Sequence, residues 1–178
     1  PISTLFPSTT LFRSFDQTAY FELFSAVFQE VKPLAFSIAE NVALVENGQI
    51  DQARLNLALS QAGIADKVKS LANGPATSML KILDDQGVEF SGGENQKIAI
   101  ARALYKNGSI MVLDEPTAAL DALAEHAIYL RFNEMVRNKT AVYISHRMAS
   151  THFCDVIAMF EQGELVEYGS HDELMARK

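Results

Sequence analysis

The sequence predicts an α/β fold with a mostly parallel sheet and a small all-helical subdomain. Two apolar, β-branched runs, SIMVLD at 109–114 and TAVYIS at 140–145, flank LDALAEHAIYLRFNEMV, which has the length of a long helix. Strands that alternate with helices at this rhythm are typical of parallel sheets. Residues 37 to about 85, in contrast, show only helical patterns. We therefore expect a helical insertion within an α/β core.

Composition limits the classes of function. The 178 residues are 48% hydrophobic and 21% charged, which is ordinary for a globular domain with a real core. The net charge of −7 argues against nucleic acid as a partner, because phosphate backbones attract clustered Lys and Arg. The single cysteine, Cys154, excludes an internal disulfide and is expected to be a small buried apolar residue. No apolar run reaches the ~18 residues that span a bilayer, so these residues are expected to be soluble.

The first fourteen residues, PISTLFPSTTLFRS, show neither helical nor strand periodicity. Eight of them are Ser, Thr or Pro. Two interpretations remain open, a non-native or disordered leader and a native loop. We therefore assign no function to residues 1–14.

Capping residues predict where the elements between residues 15 and 89 begin and end. LFSAVFQE at 23–30 reads as a buried strand that runs into a loop. Ser37 with Glu40 forms a capping box for a helix that Asn47-Gly48 closes. Asp51 is expected to cap the next helix and Gly63 to end it. A short helix at 64–72 completes the helical region.

The C-terminal part is predicted to finish the α/β core. A helical turn is expected from Arg147, followed by a hairpin about Gln162-Gly163. Ser170 and Glu173 form the capping box of a last helix. The predicted organisation is therefore a leader at 1–14, a core segment at 15–36, a helical subdomain at 37–89 and a second core segment at 90–178.

Three short motifs carry candidate chemistry. Ser91-Gly92-Gly93 precedes an amphipathic helix, and the free N–H groups of a helix start attract anions; a plain capped helix is the alternative. Asp114-Glu115 ends an apolar strand, where carboxylates can hold Mg²⁺ and orient a water molecule; solvated loop acids are the alternative. His146 also follows a strand and can contact a phosphate there, unless it is a loop histidine without a role.

Taken in order, these motifs resemble the nucleotide-binding domain of ATP-binding cassette (ABC) transporters. The similar elements are FSGGE at 90–94 (signature motif), IMVLDE at 110–115 (Walker B strand and glutamate), AALD at 118–121 (D-loop) and His146 (switch histidine). Gln29 resembles the Q-loop glutamine. The stretch AFSIAENVAL, at 35–44, is similar to the corresponding stretch of exporter-type members. The resemblance runs from about residue 15 to residue 178.

The resemblance implies a P-loop NTPase-like core that binds ATP and Mg²⁺ and powers transport. It implies that Glu115, His146 and Gln29 are catalytic and that Asp114 and Gln29 serve the metal. Nucleotide binding is expected to involve the signature residues and the D-loop aspartate: Ser91, Gly92, Gly93, Glu94 and Asp121. The implied partners are a second nucleotide-binding domain, paired head to tail, and a transmembrane domain. The implied location is the cytoplasmic face of a bacterial cell membrane.

Two departures accompany the resemblance. Glu94 stands where the family commonly has Gln. No G-x-x-x-x-G-K-[ST] occurs, since none of the nine glycines precedes a lysine. We therefore expect the first strand and its phosphate loop to be missing and these residues alone to be an inactive part of the domain. Two alternatives remain, an ABC-superfamily ATPase of DNA repair or translation and a non-catalytic module that keeps only the signature half-site.

Overall fold

The computed structural model describes residues 16–45, 49–82, 84–136, 139–146 and 148–177. Its main sheet has three parallel strands in the order β1-β2-β3, and a separate antiparallel pair joins β4 to β5. The parallel sheet confirms the predicted α/β class. The strands are Phe24–Val27 (β1), Ile110–Asp114 (β2), Thr140–Ile144 (β3), Ile157–Glu161 (β4) and Glu164–Gly169 (β5).

Helices fill the region between β1 and β2, as the sequence pattern predicted. Within the described part of 37–89, extended pairing is limited to isolated bridges from Ser37 to Ser78 and from Met79 to Val88. The helices that the structure describes are Gln17–Glu22 (α1), Ile38–Ala43 (α2), Gln52–Gln61 (α3), Ala65–Lys69 (α4), Gly92–Lys106 (α5), Ala122–Met135 (α6) and His171–Ala176 (α7), with 3₁₀ turns at Gly74–Ala76 and Met148–Phe153.

The predicted helix caps are present where the structure describes them. Capping boxes join Ser37 to Glu40 before α2 and Ser170 to Glu173 before α7. The Asp51 carboxylate accepts from the Arg54 N–H at 3.0 Å, and Gly63 ends α3 with a φ of +71°. The predicted end of α2 at Asn47-Gly48 is wrong, because the helix stops at Ala43, where Leu44 adopts a left-handed φ of 54° and its N–H donates to the Glu40 carbonyl. Residues 1–15 and the start of a turn at Arg147 lie outside the described residues.

The core forms where α5 packs on β1 and against α2 and α3. Gly108, just after α5, lies so close to β1 that a Cβ there would be 2.6 Å from the Leu23 carbonyl oxygen. Its N–H donates to the buried hydroxyl of Ser25 at 2.8 Å. A glycine at 108 therefore lets the end of α5 lie directly against the first strand.

Aromatic side chains join α6 to β3. The Tyr143 ring lies 6.5 Å from Tyr129 and 6.3 Å from Phe132, and Tyr129 also stacks on Phe153 at 5.3 Å. Burial raises the pKa of the Tyr143 hydroxyl above its ordinary value. These contacts fix β3, and with it the loop that follows β3.

The hairpin predicted about Gln162-Gly163 is present. Both residues have positive φ, 51° and 83°, as a two-residue turn between antiparallel strands requires. In the described ranges, no helix has both the length and the apolarity to cross a membrane.

Candidate functional site

Three strand ends meet at one edge of the parallel sheet. The register pairs Val27 with Leu113 and Asp114 with Ile144, so β1, β2 and β3 finish side by side. Gln29 lies two residues beyond β1, and His146 lies two residues beyond β3. Asp114 ends β2 and Glu115 follows it. Crevices at the carboxyl ends of parallel strands are where open α/β sheets bind ligands.

Glu115 is the centre of a small polar cluster at this edge. Gln29 Nε2 donates to Glu115 Oε2 at 3.3 Å, and His146 Nδ1 contacts Glu115 Oε1. The Glu115 side chain is 19% exposed, whereas that of His146 is 71% exposed. The Glu115 carboxylate is thus sheltered between Gln29 and His146, two polar residues that are both exposed to solvent.

The backbone at Glu115 turns sharply. Its φ is +44°, an uncommon value for a residue with a side chain. The Glu115 N–H donates to the Ile144 carbonyl at 2.9 Å, which keeps this residue attached to β3. Thr117 then anchors the loop from a buried position, because its hydroxyl donates to Glu125 at 2.8 Å. The conformation is therefore held from both sides, as is common for backbone outliers at functional sites.

The Ser91-Gly92-Gly93 segment opens α5. The Ser91 hydroxyl accepts from the Glu94 N–H at 3.3 Å, and the Glu94 carboxylate accepts from the Ser91 N–H at 2.9 Å. A Cβ on Gly93 would lie 3.1 Å from the Ala119 carbonyl oxygen. The start of α5 therefore packs closely on the loop 118–121, which leads back to Glu115.

Asp121 lies at the other end of that loop. Its carboxylate accepts from the Leu123 N–H at 3.0 Å, and its carbonyl accepts from the Glu125 N–H at 2.8 Å. These contacts hold the beginning of α6. The predicted site residues thus form two groups joined by residues 115–121, one at the strand ends and one at the start of α5.

Sequence reasoning missed two residues that support these groups. Asn41 is fully buried and binds the loop before α2, accepting from the Leu34 N–H and donating to the carbonyls of Leu34, Phe36 and Ser37. An asparagine inside the apolar run IAENVAL was a usable signal for such a role. Lys67 of α4 forms an ion pair with Glu94 at 3.4 Å. Nothing in the sequence pattern marks that pair.

The donor groups fit magnesium and phosphate. The carboxylates of Asp114 and Glu115 and the amide oxygen of Gln29 are the hard oxygen ligands that Mg²⁺ takes. The first N–H groups of α5, at two glycines, suit an anion. Burial alone would raise the pKa of Glu94, but the Ser91 N–H and hydroxyl and the Lys67 ammonium outweigh it, and the pKa lies below the ordinary value. Glu94 is therefore charged at neutral pH.

Comparison with known proteins points to one family. Residues 8–118 match the family described as ABC transporter. An "ATP-dependent lipid A-core flippase" of Polaromonas sp. is 41% identical over 155 residues, which are 86% of this chain and 25% of that protein. "ABC transporter B family member 28" of Arabidopsis thaliana is 34% identical over 167 residues, 93% of this chain and 23% of that protein.

A solved structure agrees with these relatives. "Structure of a bacterial Atm1-family ABC exporter with ATP bound" superposes with a TM-score of 0.81 at 33% identity, over 91% of this chain and 28% of that one. The chain thus spans about a quarter of the length of the proteins that it matches.

Proposed function

The chain belongs to the ABC transporter family, and on that premise we propose that it forms most of an ATP-hydrolysing domain that powers an exporter. The observation that carries the proposal is the contact of Gln29 and His146 with Glu115 at the ends of three parallel strands. A sheltered carboxylate between two polar side chains is suited to hold and deprotonate a water molecule. The exporter assignment is supported by the names of the relatives.

In this proposal Glu115 accepts the proton of the attacking water. Gln29 and His146 each contact one oxygen of its carboxylate and so fix its orientation. Fixed orientation matters because proton transfer requires the water within hydrogen-bond reach of the base. The exposed His146 ring is also free to turn toward a phosphate oxygen.

Asp114 and Gln29 are proposed to hold Mg²⁺ with oxygen atoms. When bound, this ion neutralises charge that develops on the transferred phosphoryl group. Asp114 occupies the last position of β2, where the pairing with Ile144 fixes the backbone. Its placement on a strand rather than on a loop gives the carboxylate a defined position.

The start of α5 is proposed to bind the γ-phosphate of ATP held by a second nucleotide-binding domain. The Ser91 hydroxyl and the N–H groups of Gly92 and Gly93 supply donors at the positive end of a 15-residue helix. Asp121, in the loop packed against Gly93, would lie at the same interface. Head-to-tail pairing would thus complete each site with residues of the partner.

A transmembrane domain is proposed to dock beside the Gln29 loop. Large apolar side chains are exposed there on both sides of α2: Phe28, Leu34, Phe36, Leu44 and Val45. Clustered exposed apolar residues of this kind mark interaction surfaces. Asn41 holds the loop that carries two of them. With such a partner, the location that we propose for the domain is the cytoplasmic face of a bacterial membrane.

Glu115→Gln tests the proposed activity in a full-length transporter polypeptide that contains these residues. The amide keeps the size of the side chain but cannot accept the proton, so kcat for ATP should fall about a hundredfold or more while ATP still binds. Phosphate release and retained radiolabelled ATP are measured together. Glu164→Gln, on the exposed hairpin, is the matched control. Near-normal hydrolysis by Glu115→Gln would contradict the assigned role.

A further inference from the structure

A lysine of the helical region reaches the start of α5. Lys67 lies on α4, and its Nζ is 3.4 Å from Glu94 Oε1. Both side chains are partly exposed, at 47% for Lys67 and 27% for Glu94. The two residues are 27 positions apart in sequence, and their pairing places a positive charge beside the segment that carries the proposed phosphate contacts.

The two oxygens of Glu94 have different partners. Oε2 accepts from the N–H of Ser91 at 2.9 Å and from its hydroxyl at 3.0 Å, whereas Oε1 is turned toward Lys67. The carboxylate is therefore needed for the helix cap, yet it puts a negative charge next to the donors proposed to bind a phosphate. Like charges at this spacing repel each other. A cation on the free oxygen reduces that repulsion without disturbing the cap.

The Ser91 hydroxyl is affected as well. In the described arrangement its proton is directed to Glu94, so it is not available for a phosphate oxygen. An ammonium group on Glu94 withdraws charge from the carboxylate and makes it a poorer acceptor. Lys67 thereby favours release of the hydroxyl toward an incoming phosphate.

From these contacts we infer that Lys67 is a positioning residue for ATP: it neutralises Glu94 so that the start of α5 can accept the γ-phosphate. The inference rests on the proposed function of the Ser91-Gly92-Gly93 segment. The inference also explains how a glutamate can stand at position 94. A glutamine there could form the same cap without adding a charge, whereas a glutamate needs a nearby cation such as Lys67. Lys67 and Glu94 would then act as a unit.

The test is a double-mutant cycle on steady-state ATP hydrolysis in the full-length polypeptide. Lys67→Ala should raise the KM for MgATP about two- to fivefold, the range expected of an exposed ion pair, with little change in kcat. Lys67→Arg should restore the wild-type KM. The Glu94→Gln, Lys67→Ala double variant should have the same KM as the Glu94→Gln single variant, because position 94 then carries no negative charge for Lys67 to neutralise.

Lys69→Ala is the matched control, since Lys69 lies on the same helix and forms no ion pair with any residue that the structure describes. An equal rise in KM for Lys67→Ala and Lys69→Ala would overturn the inference. The inference would also be overturned if Lys67→Ala raised the KM for MgATP equally in the wild-type and in the Glu94→Gln protein. That result would indicate a merely structural role of Lys67. A wild-type protein without Mg²⁺-dependent hydrolysis would instead refute the proposed function, and the inference with it.

Discussion

Two adjacent glycines at the start of α5 have different surroundings. A Cβ on Gly92 would meet the Ala119 methyl group at 3.6 Å, which is ordinary contact. A Cβ on Gly93 would lie 3.1 Å from the Ala119 carbonyl oxygen and 3.3 Å from a Leu120 methyl carbon. Only at the second position would an added Cβ be tightly packed, so that the Ala119 carbonyl would have to move by a few tenths of an ångström.

This difference predicts the outcome of matched alanine substitutions. Gly93→Ala should lower the free energy of unfolding by about 1 kcal/mol or more relative to Gly92→Ala, because it forces the loop 118–121 away from the helix. Thermal unfolding of the two variants measures the difference. Gly93→Asp adds a negative charge and should abolish ATP-dependent dimerisation. Equal stability of the two alanine variants would contradict the packing argument.

The sequence predicted where most residues of the candidate site lie along the chain, but not which of them contact each other. Glu115 and His146 follow apolar runs, so their positions at strand ends were predictable. The hydrogen bond from Gln29 to Glu115 spans 86 positions and depends on which strands become neighbours. The Lys67–Glu94 pair depends on how α4 lies against α5, and no periodic pattern encodes that packing.

At the scale of elements, the chain relies on capping boxes before α2, α5 and α7. In each, a serine hydroxyl accepts from a glutamate N–H while the glutamate carboxylate accepts from the serine N–H. These signals are local in sequence, which is why the helix starts were predictable. The turn Gln162-Gly163 was predictable for the same reason.

The first of these boxes predicts a pH-dependent stability. Hydrogen bonds from the Ser37 side chain and backbone hold the pKa of Glu40 below its ordinary value of 4.5. A carboxyl group whose pKa is lower in the folded state than in the unfolded state stabilises the fold. This stabilisation is fully present above the pKa of the unfolded state and is lost as the pH falls through the pKa of the folded state. Ser37→Ala should therefore lower the free energy of unfolding by about 1 kcal/mol at pH 7. The difference in this free energy between the variant and the wild type should become smaller below pH 4.5.

Chemical denaturation at several pH values measures the effect of Ser37→Ala. Ser70→Ala is the control, because the Ser70 hydroxyl donates to the Lys67 carbonyl rather than to a carboxylate. The loss of stability that Ser70→Ala causes should therefore not become smaller in that pH range. A Ser37→Ala penalty that stayed constant from neutral to acidic pH would show that Glu40 is not the titrating group.

At the scale of the molecule, the described sheet places β3 beside β2 with its other edge unpaired. Val142 and Ile144 of β3 are 46% and 51% exposed, unlike the buried Met111 and Leu113 of β2. The predicted order of alternating strands and helices was sufficient to anticipate a parallel sheet. It was not sufficient to give the strand order, because the order depends on crossover connections rather than on local pattern.

The charge balance of the whole site decides whether these residues alone can bind ATP. The strand-end group carries the carboxylates of Asp114 and Glu115, and the chain as a whole has a net charge of −7. ATP brings further negative charge, which ABC proteins offset with the amides and lysine of a G-x-x-x-x-G-K-[ST] loop. That sequence does not occur in these 178 residues.

A polypeptide of these residues alone should therefore give only weak, non-saturating heats on isothermal titration with MgATP, whereas a fusion that supplies a phosphate loop and its preceding strand should bind saturably. The corresponding nucleotide-binding domain of the flippase relative serves as the positive control. Saturable micromolar binding by the unfused polypeptide would show that Ser91, the α5 N–H groups and the strand-end cluster hold the triphosphate without a phosphate loop.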